Sequence, residues 1–318
     1  MQNTDYFKKK KVTIIGLARS GLACANLLYE LGADVSVTDN QENGLTRSNA
    51  LKLKSKDIKL ELGKHSPEFV RKKDLAVISP GVSDASLPVI WAKQYNIPII
   101  SEIELGWILC PATVIAVTGT NGKTTVSVLI GKILEASGEN VFVCGNIGNP
   151  FCGELGKIKT GDFVSLEVSS FQLERIQAFK PKISVILNLS RNHLDRYKDM
   201  QEYLEAKKRI FMNQDKKDCV VLNYNDQIVR GLAKEAKAEV VYFYQDSQLN
   251  PNQSAVLAVG SKLGISRDIC LEVFSKFKGV EHRLEHVGEM NNIKFINDSK
   301  ATTVDSTVWA LNNISSPV

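Results

Sequence analysis

The sequence predicts an α/β protein, with two parallel-sheet domains in succession and the beginning of a third. Three observations predict this class. Short apolar runs typical of buried strands alternate with helical segments, a glycine-rich turn follows the first strand of each of the first two series, and a further strand begins near residue 293. Such alternation implies parallel pairing through right-handed crossovers. We expect domains at residues 1–109, 110–280 and 281–318.

The elements of the first domain follow from the local pattern. Residues 12–16 form a short apolar run, and residues 22–31 form a helical segment that ends at Gly32. Further apolar runs predict strands at residues 35–39, 75–79 and 97–100.

The second domain is expected to begin at Cys110-Pro111-Ala112. A strand at residues 114–118 and a helix at 124–137, which stops at Gly138, open this series. The remaining strands are predicted at residues 141–144, 163–168, 183–187, 220–222 and 240–243. In the third unit, a strand at residues 293–297 precedes a helix near residues 304–311.

Composition excludes several classes of protein. Of 318 residues, 43% are hydrophobic and 24% are charged, which is typical of globular domains and not of disordered or collagen-like chains. A net charge of +5 is too small to indicate nucleic-acid binding. The six cysteines form no C-x-x-C pair, so the pattern supports neither a zinc site nor a thioredoxin-like redox site. We therefore expect reduced, buried thiols.

The N-terminus has a weak likeness to a secretory signal. Basic residues 8–11 precede an apolar stretch at residues 12–18, but Arg19 interrupts it after seven residues. A signal core or a membrane helix needs a longer run. We expect a cytoplasmic protein, a monomer, with no membrane or nucleic-acid partner.

The strongest functional signal is the run T-G-T-N-G-K-T-T at residues 118–125, between a strand and a helix. This is the context of a phosphate-binding loop, where glycines let backbone N–H groups curl around oxyanions and the helix N-terminus adds positive charge. Lys123 can reach the β- and γ-phosphates of a nucleotide, and the Thr124 hydroxyl can bind Mg²⁺. Val117 replaces the first glycine of the strict pattern, so the loop is a variant. The specific Gly-Lys-Thr spacing disfavours a glycine-rich turn without a ligand.

A second glycine-rich turn, G-L-A-R-S-G at residues 16–21, is less specific. It follows a strand and opens a helix, and Asp39 ends the next strand, as in a dinucleotide fingerprint. Ala18, however, replaces the middle glycine. Two interpretations stay open, a turn that binds nucleotide phosphates and a tight packing turn.

Two candidate metal ligands follow strands of the second domain. Glu167 ends an otherwise apolar strand, where a carboxylate is costly to bury unless it meets a cation. His193 lies in the segment after the neighbouring strand. A lone histidine is usually structural, but this position favours a ligand, because parallel strands present their carboxyl ends at one edge of the sheet.

Lys207 lies on the apolar stripe of a helix predicted over residues 200–213. The pattern alone favours a lysine whose ammonium group reaches the surface. The alternative is a buried amine with a lowered pKa. Such an amine can react with CO₂ to form a carbamate, which converts a cation into an anion that can bind or orient a metal.

The combined motifs resemble the Mur ligase family, the ATP-dependent amide-forming enzymes of peptidoglycan synthesis. The resemblance covers nearly the whole chain. Its motifs are the phosphate loop, the segment 14–23 with Asp39, Ser79-Pro80-Gly81, residues 145–148, 167–172 and 188–197, Ala206-Lys207, His282-Arg283 and residues 297–302.

The resemblance implies a Rossmann-like N-terminal domain, a central P-loop ATPase-type domain and the start of a third, Rossmann-like domain. The most similar member is an ATP-dependent acid–D-amino-acid ligase that adds D-glutamate to UDP-N-acetylmuramoyl-L-alanine. ATP would phosphorylate the carboxylate, and the amine of D-glutamate would attack the resulting acyl phosphate. Positioning and charge neutralisation are what such phosphoryl transfer needs.

The resemblance also assigns roles to individual residues. Lys123, Glu167, His193 and Lys207 would be catalytic, and two Mg²⁺ ions would be held by Thr124, Glu167, His193 and a carbamylated Lys207. ATP would contact Gly119, Thr120, Asn121, Gly122, Lys123, Thr124, Thr125, Arg283, Asp298 and Lys300. The UDP-sugar substrate would contact Arg19, Ser20, Asp39, Asn40, Gly81, Asn146, Ser169 and Gln172, with Thr302 nearby.

Three departures from the family pattern lead to further expectations. Asn192 stands where many relatives have Asp before the histidine. Residues 249–257 run almost straight from strand to helix and keep only Asn252 of the polar set expected there, so part of the central domain and of the adenine site is expected to be missing. The sequence stops at Pro317-Val318, where the next strand of the third domain should start, so we expect a C-terminally truncated chain.

Three alternatives remain beside an active ligase. The first is an inactive fragment that binds nucleotide only. The second is another ligase of the superfamily, similar to folylpolyglutamate synthase, which would leave the N-terminal domain unexplained. The third is a dehydrogenase, which is disfavoured because its fingerprint is degenerate here and the phosphate loop is not.

Overall fold

The computed structural model describes residues 1–192, 196–301, 304–312 and 314. Its N-terminal part is a five-stranded parallel sheet with the strand order β3-β2-β1-β4-β5. The strands are β1 (Lys11–Ile15), β2 (Asp34–Asp39), β3 (Lys59–Leu62), β4 (Leu75–Ile78) and β5 (Ile99–Ser101), and the helices are α1 (Arg19–Glu30), α2 (Gly44–Ala50), α3 (Leu87–Gln94) and α4 (Glu102–Leu109). We call this the first sheet.

A six-stranded parallel sheet follows, which we call the second sheet. Its strand order is β11-β10-β9-β6-β8-β7. The strands are β6 (Thr113–Thr118), β7 (Val141–Gly145), β8 (Phe163–Glu167), β9 (Ile183–Ile186), β10 (Cys219–Asn223) and β11 (Glu239–Phe243). The helices are α5 (Lys123–Ala136), α6 (Phe151–Glu154), α7 (Ser170–Leu173), α8 (Met200–Lys208), α9 (Gln227–Gly231), α10 (Pro251–Lys262) and α11 (Arg267–Lys276).

The register of each sheet brings its central glycine-rich turn beside polar strand ends. In the first sheet, Ile15 pairs with Thr38 and with Ile78, so the turn after β1 lies between the ends of β2 and β4. In the second sheet, Val117 pairs with Glu167, and Thr118 pairs with Ile186. The loop after β6 therefore begins between the ends of β8 and β9, where ligands bind in open α/β sheets.

The last described part is an antiparallel hairpin with a helix. Strands β12 (Glu285–Met290) and β13 (Ile293–Asn297) pair with a shift in register between His286 and Gly288, and helix α12 (Val304–Asn312) follows. The hairpin begins beyond the helices that cover the second sheet.

The two sheets share a hydrophobic core through helices α1, α4 and α6. The carboxylate of Glu104 on α4 accepts three backbone N–H groups of the second part, from Gln177, Ala178 and Phe179, at 2.7–2.9 Å. A carboxylate satisfied by three N–H donors can be buried at tolerable cost. The seam between the sheets is therefore both apolar and specifically hydrogen bonded.

The predicted strands and helices are confirmed, with shifts of a few residues at their ends. The sequence prediction missed β3, because Lys59 and Glu61 interrupt its apolar pattern. It also missed β12, where Glu285, His286 and Glu289 do the same. The helix predicted over residues 200–213 is shorter, since α8 ends at Lys208 and a 3₁₀ turn, Arg209–Phe211, follows it. All six cysteines are buried free thiols, as predicted. No helix within the described ranges is long and apolar enough to span a bilayer.

Candidate active site

The phosphate loop has the backbone that its glycines predict. Gly119 has φ +152° and Gly122 has φ +85°, both in the region that favours glycine. A Cβ atom on Gly122 would lie 2.4 Å from Oδ1 of Asn252. Gly122 is the N-cap of α5, and the first N–H groups of a helix have no partner inside it. The loop therefore presents donors and a helix N-terminus at the carboxyl edge of the second sheet.

Lys123 folds back over this loop. Its Nζ donates to the carbonyl oxygens of Gly119 at 3.0 Å and Thr120 at 2.8 Å. Burial lowers the pKa of Lys123, Glu167 acts in the opposite direction, and the charge of Arg283 lowers the pKa further. The Arg283 guanidinium, at the start of the hairpin, therefore lies within electrostatic reach of the loop. This is the arrangement expected of two cations that share a polyphosphate ligand.

Thr124 and Glu167 bring two hard oxygen ligands together. The Thr124 hydroxyl donates to Oε2 of Glu167 at 2.7 Å, and Asn146 donates through Nδ2 to Oε1 at 2.8 Å. Glu167 is 2% exposed. A hydroxyl and a carboxylate at the mouth of a phosphate loop fit Mg²⁺, which prefers oxygen ligands and takes only one or two from protein.

The second predicted metal site is not tested. His193 lies outside the described residues. Among the described residues, no group of three or more His, Cys, Asp and Glu side chains forms a metal-binding cluster. The roles of His193 and Lys207 in metal binding stay predictions.

Lys207 is buried, and the interpretation of a lysine that reaches the surface is wrong. The residue is 2% exposed, its Nζ donates to the Gly119 carbonyl oxygen at 2.8 Å, and it lies 4.6 Å from the centre of the Tyr203 ring. Burial holds the pKa of Lys207 well below its ordinary value, and the charge of Lys123 lowers it further, while Glu167 raises it. The structure therefore places against the phosphate loop an amine that loses its proton more readily than an exposed lysine.

A cavity of about 550 Å³ opens at the carboxyl edge of the first sheet. Six of the predicted substrate residues line it: Arg19, Ser20, Asp39, Asn40, Gly81 and Asn146. Asp39 accepts the Leu17 N–H at 2.6 Å, and Arg19 donates to the Gly148 carbonyl oxygen of the second part at 3.0 Å. The cavity therefore lies between the glycine-rich turn of the first sheet and the loop after β7.

Other predicted residues lie apart from this cavity. Ser169 and Gln172 form the capping box of α7, in which Oε1 of Gln172 accepts the Ser169 N–H at 3.0 Å. Asp298 accepts the Leu284 N–H at 3.2 Å, and the Lys300 N–H donates to the His282 carbonyl oxygen. Both contacts shape the hairpin near Arg283. Thr302 lies outside the described residues.

Three residues near the sites had no predicted role. The Asn188 side chain clamps the phosphate loop, because its Oδ1 accepts the Asn121 N–H at 2.8 Å and its Nδ2 donates to the Asn121 carbonyl oxygen at 3.0 Å. Tyr203 places its hydroxyl 3.4 Å from Oγ1 of Thr120. His65 lines the cavity and contacts Thr38 at 2.7 Å, but it follows β3, one of the two strands that the prediction missed.

Two parallel sheets with a phosphate-loop motif, a buried lysine and a buried carboxylate beside the loop are typical of a nucleotide-dependent enzyme, and the comparisons with known proteins agree. The family model of the Mur ligase middle domain matches residues 117–293, and that of the MurD-like Mur ligase N-terminal domain matches residues 10–101. The chain therefore belongs to the Mur ligases, a family of ATP- and Mg²⁺-dependent ligases of peptidoglycan synthesis.

Two curated relatives show which Mur ligases the chain is similar to. The UDP-N-acetylmuramoylalanine–D-glutamate ligases of Thermoanaerobacter pseudethanolicus and Clostridioides difficile are each 37% identical over 98% of this chain, which covers 76% and 77% of their lengths. The first alignment spans 346 positions although the chain has 318 residues. That relative therefore has residues inside the aligned span with no counterpart here. The direct connection from β11 to α10, from Phe243 to Pro251, agrees with the shortened segment expected there.

Solved structures confirm the fold. UDP-N-acetylmuramate–alanine ligase from Thermotoga maritima matches 93% of this chain and 75% of its own, with a TM-score of 0.59 at 21% identity. A murein peptide ligase from Psychrobacter arcticus gives the same TM-score at 15% identity, over 95% of this chain and 75% of its own. A bifunctional folylpolyglutamate synthase from Yersinia pestis matches only 65% of this chain, with a TM-score of 0.50. The family match at residues 10–101 accounts for the N-terminal domain that the folylpolyglutamate alternative leaves unexplained.

Proposed function

We propose that this chain joins D-glutamate to UDP-N-acetylmuramoyl-L-alanine in the cytoplasm, with ATP as the phosphoryl donor. The observation that best supports this proposal is the position of Asn146. Its side chain donates to Glu167 at the phosphate loop, and the residue also lines the cavity of the first sheet. A substrate with its nucleotide in that cavity and its carboxylate at the loop would span both sites. The curated relatives at 37% identity are named for this reaction.

The chemistry needs two transfers. A carboxylate oxygen of the substrate attacks the γ-phosphorus of ATP, the bond to the β-phosphate oxygen breaks, and ADP leaves with the electron pair. The amine of D-glutamate then attacks the acyl carbon, and the tetrahedral adduct expels phosphate and loses a proton to give the amide. Neither step needs a covalent bond to the protein, so positioning and charge neutralisation supply the catalysis.

Each residue at the carboxyl edge has a role in this scheme. The loop, Gly119 to Thr125, binds the ATP phosphates, and Lys123 and Arg283 neutralise the charge that develops on them. Asp298 and Lys300 hold the hairpin beside the nucleotide. Thr124 and Glu167 would hold Mg²⁺, which when bound supplies further charge neutralisation at the phosphates. Lys207, as a carbamate, and His193 would complete a second metal site.

The cavity of the first sheet would bind the UDP moiety. Arg19 and Ser20 sit at the turn that opens α1, where the diphosphate would meet a helix N-terminus. Asp39, Asn40 and Gly81 line the rest of the cavity. Asn146, Ser169, Gln172 and Thr302 would face the sugar and the L-alanine. We further propose that the protein acts as a monomer.

The test combines binding with turnover. Titration calorimetry would measure the affinity for UDP-N-acetylmuramoyl-L-alanine and for ADP, and a phosphate-release assay would follow turnover with ATP, Mg²⁺ and D-glutamate. We expect phosphate release only when all substrates are present, and none when L-glutamate replaces D-glutamate. Turnover with UDP-N-acetylmuramate and L-alanine would contradict the substrate proposal. Binding without turnover would contradict ligase activity of this chain and support a nucleotide-binding fragment.

A further inference from the structure

The segment from Ser79 to Ser86, which we call the cavity loop, forms one wall of the proposed UDP site. Pro80, Gly81 and Val82 line the cavity. The loop begins at an anchored residue, because the Ser79 hydroxyl donates to the Gly16 carbonyl oxygen at 3.1 Å. Beyond this point the loop is mostly open to solvent. Gly81 and residues 83–85 are exposed, and Val82 is half-buried. Contacts from outside the first sheet therefore matter for its position.

Arg196, from the second part of the chain, holds the outer side of this loop. Its Nη1 donates to the Pro80 carbonyl oxygen at 3.0 Å, and its Nη2 donates to Oε2 of Glu174 at 2.9 Å. The guanidinium carbon lies 4.1 Å from the centre of the Phe171 ring. One planar cation thus makes three contacts in three directions, which a lysine ammonium on a flexible stem does not reproduce.

The partners of Arg196 are themselves fixed. Glu174 follows α7, and its Oε1 accepts the Tyr197 hydroxyl at 2.6 Å. A second cross-contact supports the same loop, because Arg175 forms an ion pair with Asp84. Arg196 and Glu174 are each about one-quarter exposed, so water screens their pair only in part. Residues of the second part of the chain, Arg196 and Arg175, therefore hold the cavity loop in position.

We propose that Arg196 is a positioning residue for the nucleotide-sugar substrate, since it fixes the wall of the UDP cavity from the central domain. The inference rests on the proposed function for the identity of the ligand. Arg196 donates to the backbone carbonyl of Pro80, in the loop that forms the cavity wall. Its removal should therefore change the shape of the cavity and leave the phosphate loop unchanged. Loss of Arg196 should weaken binding of the UDP substrate and spare binding of ADP.

The test compares Arg196→Ala with Arg191→Ala. Arg191 is an exposed arginine five residues earlier in the sequence, and its removal changes the net charge by the same amount. For Arg196→Ala we expect the Kd of UDP-N-acetylmuramoyl-L-alanine to rise about tenfold, the effect of losing one charge-assisted hydrogen bond. The Kd of ADP should stay within twofold. Hydrogen exchange of the backbone amides of residues 81–86 should become faster. Arg191→Ala should match the wild type in all three measurements.

Arg196→Lys separates geometry from charge. It keeps the positive charge but loses the planar, forked guanidinium group, so its Kd for the UDP substrate should lie close to that of Arg196→Ala. A wild-type Kd in Arg196→Lys, or an equal loss in Arg191→Ala, would show a general charge effect and overturn the proposal. An unchanged Kd and unchanged exchange in Arg196→Ala would also overturn it. Should Arg196→Ala not fold, Glu174→Gln removes the ion pair and should raise the Kd about threefold.

Failure of the proposed function has a different signature. A wild-type protein that binds ADP but not the UDP substrate would contradict the ligand assignment. Hydrogen exchange at residues 81–86 would then decide the role of Arg196 by itself, because faster exchange in Arg196→Ala supports a positioning role for the loop and unchanged exchange contradicts it.

Discussion

The two glycine-rich turns of this protein have the same strand–turn–helix plan but different surroundings. In the turn after β1, Gly16 has φ +95°, and a Cβ on Gly21 would lie 1.9 Å from the Gly16 carbonyl oxygen. These glycines allow α1 to pack tightly on its strand. In the loop after β6, Lys123 Nζ donates to the Thr120 carbonyl oxygen, and Nζ of the buried Lys207 donates to the Gly119 carbonyl oxygen.

The difference comes from the neighbouring strands and helices. Beside the first turn, β2 supplies Asp39, which accepts the Leu17 N–H and fixes the turn. Beside the second, β8 supplies Glu167 and α8 supplies Lys207. A turn therefore acquires its chemistry from side chains that converge on it from elsewhere in the sheet. In the proposed function, the first turn would hold the nucleotide of the substrate and the second would bind the phosphates of ATP.

The largest expected effect tests whether activation belongs to the second loop alone. Lys123→Ala removes the cation over the phosphate loop, so ATP hydrolysis should fall at least a thousandfold, as expected when a preorganised charge at a phosphoryl-transfer site is lost. Phosphate release measures this loss, and calorimetry should show unchanged binding of UDP-N-acetylmuramoyl-L-alanine. Lys132→Ala, at an exposed position of the same helix, is the matched control and should retain activity. Retained hydrolysis in Lys123→Ala would refute the assigned loop.

The seam between the two regions should respond to pH through Glu102. Burial raises the pKa of Glu102 to about 7, although its Oε1 accepts the Cys152 N–H at 2.7 Å. Its Oε2 is buried and has no hydrogen-bond partner among the residues that the structure describes. A carboxyl whose pKa is higher in the folded state stabilises the fold below its unfolded pKa. That stability is lost as the pH rises through the folded value.

Urea unfolding at pH 5 and pH 8 measures this effect. From pH 5 to pH 8 the wild type should lose between about 2 and 3 kcal/mol relative to Glu102→Gln, because the amide does not ionise. Glu135→Gln, an exposed carboxyl on α5, is the control and should follow the wild type. A constant difference between the wild type and Glu102→Gln at the two pH values would contradict a raised pKa.

The sequence was sufficient to predict what depends on local pattern. The phosphate loop and most of the strands could be predicted, because apolar periodicity and glycine spacing are local signals. The residues that line the cavity of the first sheet were predicted from the family resemblance instead. Strand β3 could not, since Lys59 and Glu61 give it a polar pattern. His65 follows that strand, so its position in the cavity lining was missed as well.

Contacts between distant segments were beyond prediction. The burial of Lys207 depends on the phosphate loop 88 residues away along the chain, so its helical pattern alone favoured the wrong interpretation. The same holds for the Asn188 clamp and for the contact of Arg196 with Pro80, since each joins segments that only the folded sheets bring together. Site chemistry that depends on contacts between distant segments can therefore be assigned only when the fold is known.

A smaller effect tests whether close packing explains the first turn. A Cβ on Gly21 would lie 1.9 Å from one backbone oxygen and 3.0 Å from the carbonyl carbon of Gly16, so the backbone must shift. Gly21→Ala should lower the free energy of unfolding by about 2 kcal/mol, as overpacking does. Gly44→Ala is the control, because a Cβ there would meet no atom of the described residues within 4 Å. Equal stability of both variants, measured by urea denaturation, would show that the first turn is not a tight packing turn.

The smallest expected effect concerns the lysine that makes the second loop unlike the first. Burial lowers the pKa of Lys207, so this amine loses its proton more readily than an exposed lysine. The deprotonated amine can attack CO₂, forming a C–N bond and releasing one proton to give a carbamate. Its neighbour Lys208 pairs with Glu205 and Glu235, which raises its pKa and keeps it charged and unreactive. In ¹³C-bicarbonate, a carbamate resonance should be present in the wild type and in Lys208→Met and absent in Lys207→Met. Turnover in CO₂-free buffer should fall about tenfold, within the range for loss of a group that orients a metal ligand, and bicarbonate should restore it. A wild type that shows no carbamate signal and no response to bicarbonate would contradict the role proposed for Lys207.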